Sequence, residues 1–324
     1  MAGVLFFGYV SEGKVQTASL EAANCARELA QKAGVPFVGA LVGSGEDTAK
    51  ALSSVGASNV YFVDDSRLQP YISDAHVAAA EAVIRACSPD IVLFPQNSET
   101  NEWVPRLAAR LDAALVTAVS RLVLENGELV AVKPVSGGAA KAEYSFGRPL
   151  RMATLSAGSY EPCEQSSEQG AVTPVALPEV NARIAVLESI ADATGAGPQL
   201  KTARVVVSGG LGIGSRDNWK LIDDAAAELG AGVGGSRAVV ELGWIPPSKQ
   251  VGFSGVKISP DLYIAVGISG AVHHLAGISG AKTIVAINTD SEANIFKAAR
   301  YGVVGDAKDV LPAFVERVKE LRAR

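Results

Sequence analysis

The chain is poor in the residues that build metal centres, disulfide frameworks and charged surfaces. Its 324 residues include 3 cysteines and 3 histidines, and only 19% of them carry a charge. Cys25, Cys87 and Cys163 are far apart and odd in number, which excludes a CxxC pair and a disulfide scaffold and fits a reducing compartment. Cys25 and Cys87 fall on apolar helical faces and read as core. Basic residues are outnumbered, 29 Lys+Arg against 34 Asp+Glu, so no general positive field holds nucleic acid or anionic lipid, and no basic patch stands out. Long apolar runs are missing too. The longest, Tyr263 to Ile287, is interrupted by His273, His274 and Lys282, which argues against membrane insertion. The opening MAGVLFFGYVSEGK has no basic leader and reads as a first strand, so the expected location is cytoplasmic.

What the chain does have is apolar content, 48%, and a length that suits about two domains. Short β-branched runs alternate with helical periodicity, the pattern of an α/β fold with mostly parallel sheets flanked by helices. Strands are predicted at 4–10, 36–42, 59–64 and 90–95. Between them Ala22, Cys25, Ala26, Leu29 and Ala33 form one helical face, and Val77, Ala80, Ile84 and Cys87 another. After a helix near Thr100 to Leu111 the text turns strand-rich, with an Asn126-Gly127 hairpin signal, so the first domain is expected to close with antiparallel strands. A further strand is predicted at ARIAVLES (182–189), and Gly195, Gly197 and Pro198 mark a linker. The expected division is 1–198, an α/β domain, and 199–324, a second domain of short βα units.

In the second part, unusual residues gather just after predicted strands, where an open parallel sheet binds ligands. Gly210, Gly212 and Gly214 lie between a strand and a helix. Such a turn either brings backbone N–H groups to a pyrophosphate or serves close packing. No acidic residue ends the next strand, and Glu241 comes too late, so an ordinary NAD site for hydride transfer is disfavoured. His273 and His274 are adjacent, point about 100° apart on a helix and lack the spacing of a zinc pair. No metal site is expected. One of the two imidazoles is a candidate donor to a developing anion. Arg237, after GAGVGGSR, either faces a ligand or makes a surface ion pair.

The run PDLYIAVGISGAVHHLAGISGAKTIVAINTDSEANIFKAARYGVVGD (260–306) closely resembles the alpha subunit of electron transfer flavoprotein. The blocks VVVSGGLGIGS, GGSRAVVELGWIP and KQVGFSGVKISP are similar to further blocks of that family in the same order, and FPQNSETNEWVPRLAARLDA matches in character. The resemblance implies FAD held noncovalently by a doubly wound C-terminal domain, and an electron carrier with no substrate site of its own. It also implies a heterodimer with a beta subunit that carries AMP or a second FAD, a flavin dehydrogenase as donor and a quinone oxidoreductase or similar acceptor. Carried over by position, the cofactor-binding residues would be Leu211, Ser236, Arg237, Val251, Gly252, Phe253, Ser254, Ser269, Gly270, Ala271, Val272, His273 and His274, with Asn288, Asp306 and Ala307 at the adenosine end. The resemblance puts the Ser254 hydroxyl at the flavin's central nitrogen and His274 near the pyrimidine carbonyl.

On that assignment, reduction places negative charge on the isoalloxazine, and pre-aimed donors such as Arg237 and His274 stabilise it. A charge-assisted hydrogen bond of ~1.5–3 kcal/mol corresponds to roughly 65–130 mV for one electron. Leu211 stands where the family has an arginine, Phe253 and His273 replace glutamines, and Val256 and Thr289 replace lysines. The chain therefore reads as a divergent member with shifted FAD affinity and potentials. Two other classes stay open on the residues alone. One is a flavin- or nicotinamide-dependent oxidoreductase with its own small substrate. The other is a nucleotide-binding assembly protein that has lost FAD.

Overall fold

A computed structural model of the chain describes residues 3–11, 13–125, 127–136, 140–164, 169–188 and 200–322. The chain divides into two compact units, Met1–Val135 with Ala140–Ala191, and Asp192–Arg324 with Ser136–Ala139. The expected boundary near residue 198 and the Asn126 half of the hairpin signal lie outside the described residues.

The first unit begins with β1 (Val4–Phe7), whose four residues are all buried, as a central strand of a parallel sheet requires. The strand expected over 4–10 is shorter than the apolar text. After Gly8 the chain turns into a small hairpin of β2 (Val10–Ser11) and β3 (Lys14–Val15). Helix α1 (Thr17–Ala33) ends at Gly34, which takes the left-handed conformation that lets its N–H close on Ala30 and Gln31. Next come β4 (Phe37–Val42), α2 (Glu46–Ser53), β5 (Asn59–Val63), α3 (Ser73–Cys87), β6 (Ile91–Pro95) and α4 (Ser98–Arg110). The start of α4 is fixed by a capping box between Asn97 and Thr100.

Then follow β7 (Ala114–Val119), an antiparallel trio of β8 (Arg121–Glu125), β9 (Glu128–Val135) and β10 (Ala140–Ser145), and β11 (Arg151–Leu155) and β12 (Ala171–Pro174). The antiparallel closure is therefore partial. β7 and β11 join the parallel sheet, whose order is β12-β5-β4-β1-β6-β11-β7. β12, inside a stretch with no strand signal, extends the far edge by pairing with β5. The strand predicted at 182–189 is not formed over 182–188, where no ladder exists and Leu187 is 97% exposed. Its alternating apolar residues have no sheet face to bury.

Alternation along the strands gives this sheet two cores. Val4, Phe6, Leu41 and Ile91 pack against α1, including Cys25, while Leu5, Phe7, Val92 and Phe94 pack against α3 and α4. Each fully buried side chain of this size stabilises by roughly 1.5–3 kcal/mol. Cys25 and Cys163 are buried and Cys87 is half-buried, all free thiols, and burial pushes the Cys25 thiol up to about 12, which leaves it unreactive.

The second unit has β13 (Val205–Gly209), α5 (Lys220–Leu229), β14 (Gly232–Gly235), α6 (Arg237–Glu241), β15 (Leu262–Val266), α7 (Val272–Leu275), β16 (Thr283–Asn288), α8 (Ile295–Ala298), β17 (Tyr301–Val304) and α9 (Ala307–Arg322). Its strands are all parallel, in the order β14-β13-β15-β16-β17. This is a doubly wound sheet, with α5 and α9 over Val207, Ile264 and Val266 on one face. The other face, with Val206, Tyr263 and Ala265, is covered by Val251, Ile258, Ile268 and Ile278 from loops and short turns. Among the described residues no helix is long and apolar enough to cross a membrane.

Candidate functional site

Because all strands of the second unit run the same way, the segments after β13, β14, β15, β16 and β17 share one edge, and the sequence-predicted positions lie along it. The glycine turn comes first. Its N–H groups are engaged inside the protein: Gly210 donates to the Val266 carbonyl at 2.8 Å, Gly212 to Gly267 at 2.9 Å, Ile213 to Gly210 and Gly214 to Leu211. A Cβ on Gly210 would stand 2.3 Å from the Gly267 oxygen, and one on Gly212 2.7 Å from the Gly267 Cα. The glycines are needed for contact between two backbones. Of the two sequence readings of this turn, the structure supports close packing. The Leu211 side chain points into solvent, 49% exposed.

After β14, Ser236 begins α6, and its N–H is held by the Gly209 carbonyl. Arg237 lies on the surface, its Nε donating to Glu241 at 2.7 Å. The chain then returns to the edge. Val251 N–H donates to Gly235, and Phe253 N–H reaches across to the His273 carbonyl at 2.7 Å. That bond joins Val251, Gly252, Phe253 and Ser254 to the segment of Ser269, Gly270, Ala271, Val272, His273 and His274. The rings of Phe253 and His273 are 6.0 Å apart, so two departures from the family pattern are neighbours. Phe253 is exposed and carries the Lys257 ammonium over its face at 5.0 Å. The Ser254 hydroxyl accepts from Gln250 at 3.1 Å. Gly270, at φ +80°, lies so close to Ile295 that a Cβ would meet its nitrogen at 2.2 Å.

The two histidines have opposite surroundings. His273 is exposed; His274 is buried, with Nε2 2.8 Å from the Tyr263 hydroxyl and the Val251 carbonyl facing the ring. Burial drives the His274 imidazole down to about 4, with the Val251 carbonyl pulling more weakly the other way. The ring is neutral at pH 7. His274 is therefore an uncharged hydrogen-bonding group, and Arg237 brings a guanidinium to the carried-over positions. Ser208, fully buried on β13, sets its hydroxyl against that of Tyr263. Sequence reading missed Tyr263 and Ser208. They sit inside apolar strands, and their only signal is a polar residue in an otherwise apolar run.

At the far end, Asn288 is a brace. Its amide donates to the Ile268 carbonyl at 3.0 Å and its oxygen accepts from Asp290. Gly305 N–H donates to the Asn288 carbonyl, which brings Asp306 beside it. Asp306 caps α9 through Lys308 N–H, and Ala307 is buried in the core below. No cluster able to hold a metal ion occurs among the described residues.

Comparison with known proteins bears on both units. The electron transfer flavoprotein domain matches residues 4–180, and the electron transfer flavoprotein FAD-binding domain matches residues 199–279. The chain belongs to the electron transfer flavoprotein alpha subunit family. It is 37% identical to Protein FixB of Clostridium saccharobutylicum, over 98% of this chain and 97% of that one. It is 32% identical to the electron transfer flavoprotein subunit alpha of Bacillus subtilis, over 98% of each chain. The corresponding protein of Mycobacterium tuberculosis H37Rv is 37% identical over 98% of this chain and 99% of its own. The fold expected from the sequence, α/β with mostly parallel sheets, is the one observed.

The residues of the second unit fit a flavin. A buried, neutral imidazole lies at the edge, the Ser254 hydroxyl is exposed there, and the Arg237 guanidinium is held only by a surface ion pair.

Proposed function

We propose that the second unit, 199–324, binds FAD noncovalently along this edge. In this reading the chain is the flavin-carrying subunit of a heterodimeric electron carrier with a beta subunit, and 1–198 is its scaffold and docking domain. A flavin dehydrogenase supplies the electrons, a quinone oxidoreductase or similar protein takes them, and the complex works in the cytoplasm. The observation that carries the reading is the meeting of two segments at this edge: the Phe253 N–H bond to the His273 carbonyl sets the exposed Ser254 segment against the buried, neutral His274, beyond the carboxyl ends of a parallel sheet.

FAD would supply the redox chemistry, and its reduction would add negative charge to the ring system. The protein's part is to bind, orient and tune. Ser254 and His274 offer short-range hydrogen bonds, and Arg237 offers a guanidinium that a ligand need only draw from an exposed ion pair. The exposed ring of Phe253, backed by Lys257, replaces a polar contact with an apolar face.

The test is the visible absorption spectrum of this chain co-expressed with its beta subunit, followed by stepwise reduction under argon. Flavin bands that bleach on reduction and a midpoint potential lowered by His274→Ala are expected. A colourless complex that cannot be reconstituted with FAD would overturn the assignment.

A further inference from the structure

The first unit carries an unassigned cavity of about 450 Å³ at the carboxyl edge of its own parallel sheet. From β1 the chain proceeds to β4 and β5 on one side and later to β6 on the other, so the segments after β1 and β6 flank the switch point where such sheets bind ligands. Both segments line the cavity, and its volume lies within the range of small-molecule sites.

Its chemistry is one-sided. Tyr9, Tyr71 and Trp103 provide aromatic walls, and Glu99, in the first turn of α4, provides a half-buried carboxylate. No lysine or arginine is among the described residues that line it. Glu99 has no hydrogen-bond donor or cation for its carboxylate among the described residues. Burial and the nearby Glu102 both push it up from the usual carboxylate range. Glu102 itself accepts from the Tyr71 hydroxyl at 3.1 Å. The nearby Arg106 is held by Ser73 and Asp74.

His76 is an independent indication. It is 7% exposed, lines the cavity, and has Nδ1 3.1 Å from the Ile72 carbonyl. A carbonyl only accepts, so Nδ1 carries the proton, and burial keeps the ring neutral. Nε2 is then an acceptor, unpartnered among the described residues. Acceptors and aromatic faces with one unneutralised carboxylate suit a cation that carries N–H donors.

We propose that this cavity binds a small organic cation of the guanidinium or primary ammonium class, held by Glu99 and the His76 Nε2 against the faces of Tyr71 and Trp103. A phosphate or carboxylate ligand is disfavoured, because no cation faces it and Glu99 repels it. The site is separate from the flavin reading and does not rest on it.

Calorimetric titration of the complex with n-butylguanidine and with n-butylurea isolates charge at nearly constant shape. The guanidine should bind saturably, one per alpha chain, and at least about tenfold tighter than the urea, as expected for a charge-assisted hydrogen bond. Glu99→Gln should remove that preference while the flavin absorbance stays unchanged. Thr48→Lys, on the rim of the cavity, should abolish guanidine binding by supplying a cation from within, and it covers the case in which Glu99→Gln fails to fold. Equal binding of the two probes, no saturable binding of the guanidine up to its solubility limit, or indifference to both substitutions would overturn the proposal. A colourless complex with the guanidine preference intact would count against the flavin reading alone.

Discussion

The two units build the same kind of edge from opposite materials. Both are parallel sheets with a central strand where the winding reverses, and in both the loops beyond that strand hold the unusual residues. In the second unit the loops after β13 and β15 close on each other, backbone to backbone, through Gly210, Gly212 and Gly267. In the first unit the equivalent space is open, and side chains of β1, α3 and α4 line it. A common sheet thus sets where a ligand could bind, while the loops decide whether glycine packing or side chains occupy that place.

The sharpest way to break this comparison is to add one methyl group at each edge. Gly267 has φ +62°, and its Cβ would stand 2.6 Å from the Gly212 carbonyl carbon and the Ile213 nitrogen. Backbone cannot step aside cheaply, so Gly267→Ala should cost about 2–4 kcal/mol, strain and overpacking together. Gly43 of the first unit has a similar φ, +76°, but its Cβ would meet the Gln69 side-chain nitrogen at 3.3 Å. That group can move, so Gly43→Ala should cost only the strain, about 1 kcal/mol. Urea unfolding of the two variants measures both. Equal costs would mean that the backbone contact in the second unit is not what holds its edge.

Each unit also buries one neutral histidine, His76 in the first and His274 in the second, and the pKa of each is lowered chiefly by burial. A depressed histidine leaves the unfolded state to take the proton first. Stability is therefore complete above the ordinary histidine value near 6.5 and falls as the pH drops below it. For His274 the loss continues to about 4, below which the native state also binds the proton. The window of about 2.5 pH units corresponds to roughly 3 kcal/mol. His274→Gln should flatten the acid limb of the stability curve measured by denaturant titration between those values. A limb that is unchanged in the variant would place the acid sensitivity elsewhere.

Legibility followed the same division. The central strands were readable because buried parallel strands are continuous apolar runs, and 36–42, 59–64 and 90–95 needed no context. β12 was not, since four residues with a proline at the end pair only because β5 offers a free edge. The segment 182–188 failed in the opposite sense, with apolar text and no partner strand. At the site, the family blocks marked the second edge, yet the glycine turn supported two meanings until its donors were seen to be engaged. The cavity of the first unit left no motif. Tyr9, Tyr71, His76, Glu99 and Trp103 are spread over three connections, and only the sheet brings them together.

Smaller effects test the electrostatics of each edge. Glu99→Gln should stabilise the first unit slightly at neutral pH, because burial and Glu102 disfavour its charged form. The gain should vanish as the pH falls through the carboxylate range, where the native group is already protonated. Thermal unfolding at pH 7 and at acid pH would read both, and a gain that persists in acid would point to packing instead of charge.

The smallest stability effect belongs to Arg237, and its smallness is informative. Its ion pair with Glu241 is exposed on both sides, 70% and 60%, where solvent screening leaves such pairs within about 0.5 kcal/mol. Arg106 in the first unit differs, since its partner Asp74 is 15% exposed and Ser73 also holds the guanidinium. Arg106→Ala should therefore destabilise more than Arg237→Ala. For Glu241→Ala the prediction has the opposite sense in function: it frees Arg237, so FAD affinity should hold or rise, whereas Arg237→Ala should lower it with stability unchanged. Flavin release measured by fluorescence in the two variants decides the point. If both lose flavin alike, the ion pair itself shapes the edge; if neither does, Arg237 is a surface residue and the carried-over position has lost its role in this chain.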